Sequence, residues 1–162
     1  MPELQPLRGD HDAAVLAFEL ANRAYFTATI SDRGQEYFDH FADRHAADLA
    51  EQASGECAYF VLVDDDGAVL GRFNLRDIDD GSAALGYRVA ERVTGRGVAT
   101  TGVEQICALA GTRLGLRELR AATTDTNLAS QRVLLKTGFV RVGRAGPSEL
   151  GGKSGSRYVR SL

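Results

Sequence analysis

A chain of 162 residues with 44% hydrophobic content can bury one sizeable core, and no linker, repeat or low-complexity block divides it, so a single domain spanning 1–162 is expected. A pI near 5.6 without a basic, aromatic-rich stripe disfavours nucleic acid, and no apolar run has the length of a membrane span or a secretory leader. Cys57 and Cys107 lack metal spacing and the three histidines are scattered, which leaves a metal site nothing to build on and makes free thiols in a reducing cytoplasm the expectation.

In chain order, Leu4 to Leu7 reads as a first strand and Asp10 as the cap of a helix. The apolar stripe of that helix takes in Val15, Phe18 and the stretch from Ala21 to Phe26. A second helix from about Arg33 to Ala53 sets Phe38, Phe41, His45 and Leu49 at helical spacing; the stripe is expected to pack into the core, with His45 a partly exposed neighbour rather than a ligand. Ala58 to Val63, Ala68 to Leu75 and Ser82 to Val89 read as strands. They are separated by Asp65-Asp66-Gly67 and Asp79-Asp80-Gly81, and Asp-Gly is a strong hairpin signal. Tyr87 to Ala110 then reads as the end of a strand, a glycine-rich turn and a helix. After a strand from Leu119 to Thr123, Asp125 or Thr126 can cap a further helix that Gly138 ends, and Phe139 begins the next strand. Ser156 to Ser161 closes the chain, behind a glycine-rich loop from Gly143 to Gly155 expected to be mobile or substrate-facing. The order is α+β: a central mixed, mostly antiparallel sheet flanked by helices.

The charge is divided along the chain. Residues 1–66 carry 14 acids and 4 bases, and residues 67–162 carry 8 acids and 15 bases. The basic half suits a polyanionic ligand and the acidic half a cationic amine or basic peptide, although most such charges are simply solvated faces.

The sharpest local feature is Thr94-Gly95-Arg96-Gly97-Val98-Ala99-Thr100. Gly95 and Gly97 can take backbone angles closed to other residues, so that successive N–H groups converge on an anion at a helix start, and Arg96 adds a positive charge. As Gly-x-Gly-x-x-Gly the run fails at Thr100, which argues against a dinucleotide fold. Gly152-Lys153-Ser154 is not a Walker loop: Pro147 stands where its first glycine belongs and too little chain follows for the helix. The run instead resembles the acetyl-CoA loop of the GNAT acyltransferases, Gln/Arg-x-x-Gly-x-Gly/Ala, with Thr94 departing from the first position. About thirty residues on, Asn127-Leu128-Ala129-Ser130 and Lys136-Thr137-Gly138-Phe139 resemble the Asn-x-x-Ser and Lys-x-Gly-Phe helix of that superfamily, in the form found in its ribosomal-protein alanine N-acetyltransferase branch.

This resemblance covers nearly the whole chain and implies a GNAT fold, acetyl-CoA as cosubstrate and direct attack of an amine on the thioester. Tyr87 through Val89 would hold the thioester carbonyl with backbone N–H groups; Gly95 to Thr100 would hold the pyrophosphate; Asn127 and Arg132 would add cofactor contacts. Ser130 would stabilise the leaving thiolate, because Leu134 stands where many relatives carry a tyrosine. Ala84 and Ala122 occupy the places of the usual glutamate base, leaving Asp77 and Glu149 as candidates by elimination. An α-amine with a pKa near 8 is about a tenth neutral at pH 7, against less than about one in a thousand for lysine, so the missing base favours an α-amine acceptor. The reading is an N-acetyltransferase for a primary amine, either a protein or peptide N-terminus or a small molecule such as an amino sugar, polyamine, amino acid or antibiotic. A catalytically silent acyl-CoA sensor is the third reading. Between monomer and homodimer the sequence does not choose.

Overall fold

A computed structural model describes residues 2–162. Seven strands form one sheet in the order β1-β2-β3-β4-β5-β7-β6. They are β1 (Glu3–Pro6), β2 (Ala58–Val63), β3 (Val69–Asp79), β4 (Ser82–Val89), β5 (Glu118–Thr124), β6 (Val140–Arg144) and β7 (Gly155–Ser161). Neighbours are antiparallel except β4 and β5, which are parallel. The helices are α1 (Asp12–Thr27), α2 (Gln35–Asp39), α3 (Phe41–Ser54), α4 (Val98–Thr112) and α5 (Leu128–Lys136).

β2 reads Ala-Tyr-Phe-Val-Leu-Val and is buried along its whole length, as a strand covered on both faces should be. One cluster joins it to Phe73 and Leu75 of β3, Val15 and Phe18 of α1, and Val103 and Ile106 of α4. Gly102 is glycine for this packing: a Cβ there would overlap the Phe73 ring, so its absence lets α4 lie close on β3. The β3–β4 turn follows the Asp-Gly expectation, with Asp80 at φ 47° and Gly81 at φ 75°.

Five expectations need correction. The helix expected from Arg33 to Ala53 is two helices. Gly34, at φ 89°, starts the first, and His40 leaves helical geometry between them. His45 is buried, not partly exposed: its Nε2 lies 3.0 Å from the Arg8 carbonyl and its ring stacks on Phe41. Asp10 caps nothing; it pairs with Arg8 while a 3-10 turn over Gly9–His11 leads into α1. α5 is capped by Asn127, whose Oδ1 accepts the Ser130 N–H at 3.2 Å, and Asp125 instead pairs with both terminal nitrogens of Arg144. β3 also runs to Asp79 rather than ending at Leu75, carried on by a bulge at Arg76/Asp79.

Candidate active site

The sheet is open at its centre. β4 and β5 pair only over Ser82–Ala84 against Glu118–Arg120, whereas β3 holds β4 as far as Val89 and β7 holds β5 as far as Thr124. Beyond Ala84 the parallel strands part, and the β4 edge facing β5 is left without a strand partner.

The glycine turn sits at the mouth of this opening. Gly95 and Gly97 adopt φ of 76° and 75°. No side chain caps α4, and the Thr101 N–H makes the first helical bond, to the Gly97 carbonyl. The N–H groups of Val98, Ala99 and Thr100 precede it, so the positive end of a fifteen-residue helix meets the cleft with its donors uncommitted to the helix ladder. Thr94, where the family pattern has Gln or Arg, donates its hydroxyl to the Glu91 carbonyl.

A cleft of about 330 Å³ is lined by Tyr87 to Val89, Gly95, Gly97 to Thr100, Asn127, Ser130 and Arg132, and further by Lys136 and by Tyr25, Phe26, Thr29 and Ile30. The residues given cofactor or catalytic roles from sequence, Arg96 apart, thus meet on one surface. Arg96 does not: it is exposed and lines neither this cleft nor the next. Among the described residues no carboxylate lines this cleft, while Arg132 and Lys136 stand one turn apart on α5, which suits a polyanion. Lys136 belongs to the Lys-x-Gly-Phe motif and was legible there; the wall from Tyr25 to Ile30 carries no motif.

A second cleft, of about 340 Å³, shares Thr29, Ile30, Tyr87, Asn127 and Ser130 with the first. Its other walls are Leu85, Gly86, Ala121 to Thr124 and Leu134, with Glu149 to Gly151 and Lys153 from the loop before β7. That loop holds a 3-10 turn over Pro147–Leu150, and Lys153 reaches across to the Thr29 carbonyl. Glu149 is the only carboxylate among the described lining residues. The Gly146 N–H and then the Arg157 guanidinium hold it below the usual carboxylate range. Asp77, exposed at the β3 bulge with φ 52°, lines neither cleft.

Tyr87 and Ser130 stand where the clefts meet, with Tyr87 Oη 3.1 Å from Ser130 Oγ. Burial pushes the Tyr87 phenol above its ordinary pKa, with the Ser130 hydrogen bond opposing, so the group remains protonated at neutral pH. A mouth lined by Arg132, Lys136 and a helix N-terminus, a waist bearing two hydroxyls where the clefts meet, and a largely apolar second cleft together suit a long phosphorylated donor on one side and an acceptor on the other.

A family model described as an acetyltransferase (GNAT) domain matches residues 3–140. No curated protein sequence matches the chain. Among solved structures, the ribosomal-protein-S5-alanine acetyltransferase of Vibrio fischeri superposes with a TM-score of 0.90 at 18% identity, covering 99% of this chain and 92% of that one. Mycobacterium smegmatis RimJ in complex with CoA-disulfide gives 0.87 at 23%, covering 98% and 81%. The spermidine N-acetyltransferase of Vibrio cholerae in complex with CoA and spermine gives 0.81 at 18%, covering 99% and 95%.

Proposed function

The chain belongs to the GNAT acetyltransferase family, and from that premise we propose that it acetylates the α-amine of a protein or peptide N-terminus in the cytoplasm. Acetyl-CoA is the cosubstrate and supplies the acetyl group as a reactive thioester. The observation that carries the acceptor reading is the second cleft, whose single carboxylate among the described residues is already matched by Arg157. A polyamine brings several separated positive charges and finds no set of free carboxylates there. A neutral α-amine on a small residue needs none. A small amine is the second reading, favoured by the likeness to the spermidine N-acetyltransferase.

In this reading Gly95, Gly97 and the first N–H groups of α4 grip the pyrophosphate, with Arg132 and Lys136 adding charge. The open β4 edge at Tyr87 to Val89 presents backbone donors to the thioester carbonyl, where negative charge grows as the amine attacks. Ser130 serves the departing sulfur. Ser130→Ala is expected to lower kcat about ten- to hundredfold while changing CoA affinity by less than about threefold; equal losses in both would mark a structural serine.

Among the described residues Glu149 is the one acid lining the second cleft, where this reading puts the acceptor. Its lowered pKa keeps it ionised throughout the neutral range, so its own titration falls well below that range. Glu149→Gln is therefore expected to raise the acceptor KM about two- to fivefold and to leave the pH dependence of kcat above neutrality to the amine. Asp77→Asn is expected to match wild type. A shifted alkaline limb in Glu149→Gln would make this carboxylate the base instead.

The function itself is tested by offering acetyl-CoA with free-N-terminus peptides, the same peptides N-terminally blocked but with free lysines, and small amines including spermidine, then reading acetyl gain by mass spectrometry. Acetylation of free N-termini alone supports the reading. Acetylation confined to a small amine replaces it with the second, and acetyl-CoA binding without CoA release across the panel points to a sensor.

A further inference from the structure

Tyr87 was singled out for its backbone, yet its side chain is the better-defined feature of the waist. Its ring stacks on Phe73 at 5.6 Å and 12° between planes, and Phe73 is fully buried against the helix that Gly102 admits. The hydroxyl is thereby held at a set position beside the rotatable Ser130 hydroxyl. A serine in the first turn of a helix can turn its proton back onto a backbone carbonyl. Here the Oγ is instead engaged with Tyr87, and the helix cap is left to Asn127.

We propose that Tyr87 is a positioning residue for the leaving-group step, donating its phenolic proton to Ser130 Oγ so that the serine proton is free to face the departing sulfur. This rests on Ser130 serving the thiolate. A hydroxyl carries one proton and two acceptor sites. With Tyr87 as donor, Ser130 accepts at one site, which fixes the orientation of its hydroxyl and leaves its only proton for the ligand; without Tyr87 that orientation is no longer held. The amine nitrogen bonds the carbonyl carbon, the carbon–sulfur bond breaks with its electron pair on sulfur, and the amine proton passes to water. Neither hydroxyl changes protonation state. As negative charge grows on sulfur, the Tyr–Ser–sulfur chain polarises in one direction, each bond strengthening the next.

The test is a double-mutant cycle on Tyr87→Phe and Ser130→Ala, reading kcat, the KM for acetyl-CoA, CoA affinity and melting temperature. Phenylalanine keeps the ring stacked on Phe73, so melting temperature and CoA affinity are expected to stay at wild-type values while kcat falls about tenfold. In the Ser130→Ala background the same change is expected to cost nothing further. A full tenfold loss persisting without the serine overturns the inference, as does unchanged kcat in the single variant or a loss matched by weaker CoA binding. Wild-type turnover in Ser130→Ala alone instead brings down the serine assignment itself, and is seen in the single variant before the cycle is closed.

Discussion

Glu19→Gln is expected to destabilise the protein by about 3–5 kcal/mol, more than any exposed charge change in the chain. Glu19 is 1% exposed on α1, and three guanidinium groups converge on it. Arg33 Nε lies 2.9 and 3.0 Å from its two oxygens, Arg88 reaches Oε1 at 3.3 Å and Arg72 reaches Oε2 at 3.5 Å. Arg72 is itself buried, and its other nitrogen lies 3.6 Å from Asp48, which Arg44 pairs in turn. The Glu19 carboxylate ties α1 to the loop before α2, to β3 and to β4, and Arg72 carries the link on to Asp48 of α3. Positive charge is in excess around it: burial first, then Arg33, pull Arg88 down to about 10, against the opposing effect of Glu19. Glutamine keeps the shape and removes the charge, leaving the guanidiniums to repel one another out of water. Urea denaturation of the variant and wild type measures the loss. By contrast, breaking the exposed Arg117–Asp80 pair is worth about 0–1 kcal/mol. A Glu19 loss of that small size would mean that water reaches the cluster and screens it.

This network marks where reading the chain residue by residue stops. On α1, Glu19 is a polar position beside the Val15 and Phe18 stripe, and its partners arrive from three other elements. No local period points to them. Where the physics is local, the residues were legible: Asp80-Gly81 turns with both φ positive because few other pairs tolerate it, and Gly95 and Gly97 bracket the cleft for the same reason. The α5 cap lies between. Asp125, Thr126 and Asn127 all have capping chemistry, and the choice falls to Asn127 while Arg144 of β6 takes Asp125. The break at His40 is likewise tertiary, since Phe41 and His45 turn inward to meet each other and the Arg8 carbonyl. The opening beyond Ala84 depends on how far two strands distant in the chain stay paired, and so has no signature in either strand alone. Its ends were nevertheless visible as motifs, because the glycine turn and the Asn-x-x-Ser helix must present particular groups to a ligand.

Gly97→Val is expected to weaken CoA binding about a hundredfold with the fold retained. Among the described residues, and apart from its own chain neighbours, nothing lies within 4 Å of a Cβ added at Gly97, so the valine does not clash with its surroundings as a side chain at Gly102 would. The cost is conformational. At φ 75° a β-branched residue is strained by about 1–3 kcal/mol. The turn can relieve that strain by rotating its peptide planes, at the expense of the N–H groups aimed at the cleft. Each charge-assisted hydrogen bond to a phosphate lost in this way is worth about 1.5–3 kcal/mol. One such bond, together with residual strain in the bound state, accounts for about 3 kcal/mol, which is the hundredfold. Calorimetric titration with CoA measures it, and a melting curve on the same sample separates lost binding from lost folding. Gly97→Ala, without β-branching, is expected to fall between. If the valine variant binds CoA as wild type does, the turn is a loop that happens to be rich in glycine, and the phosphates must be held by Arg132 and Lys136 of α5 instead.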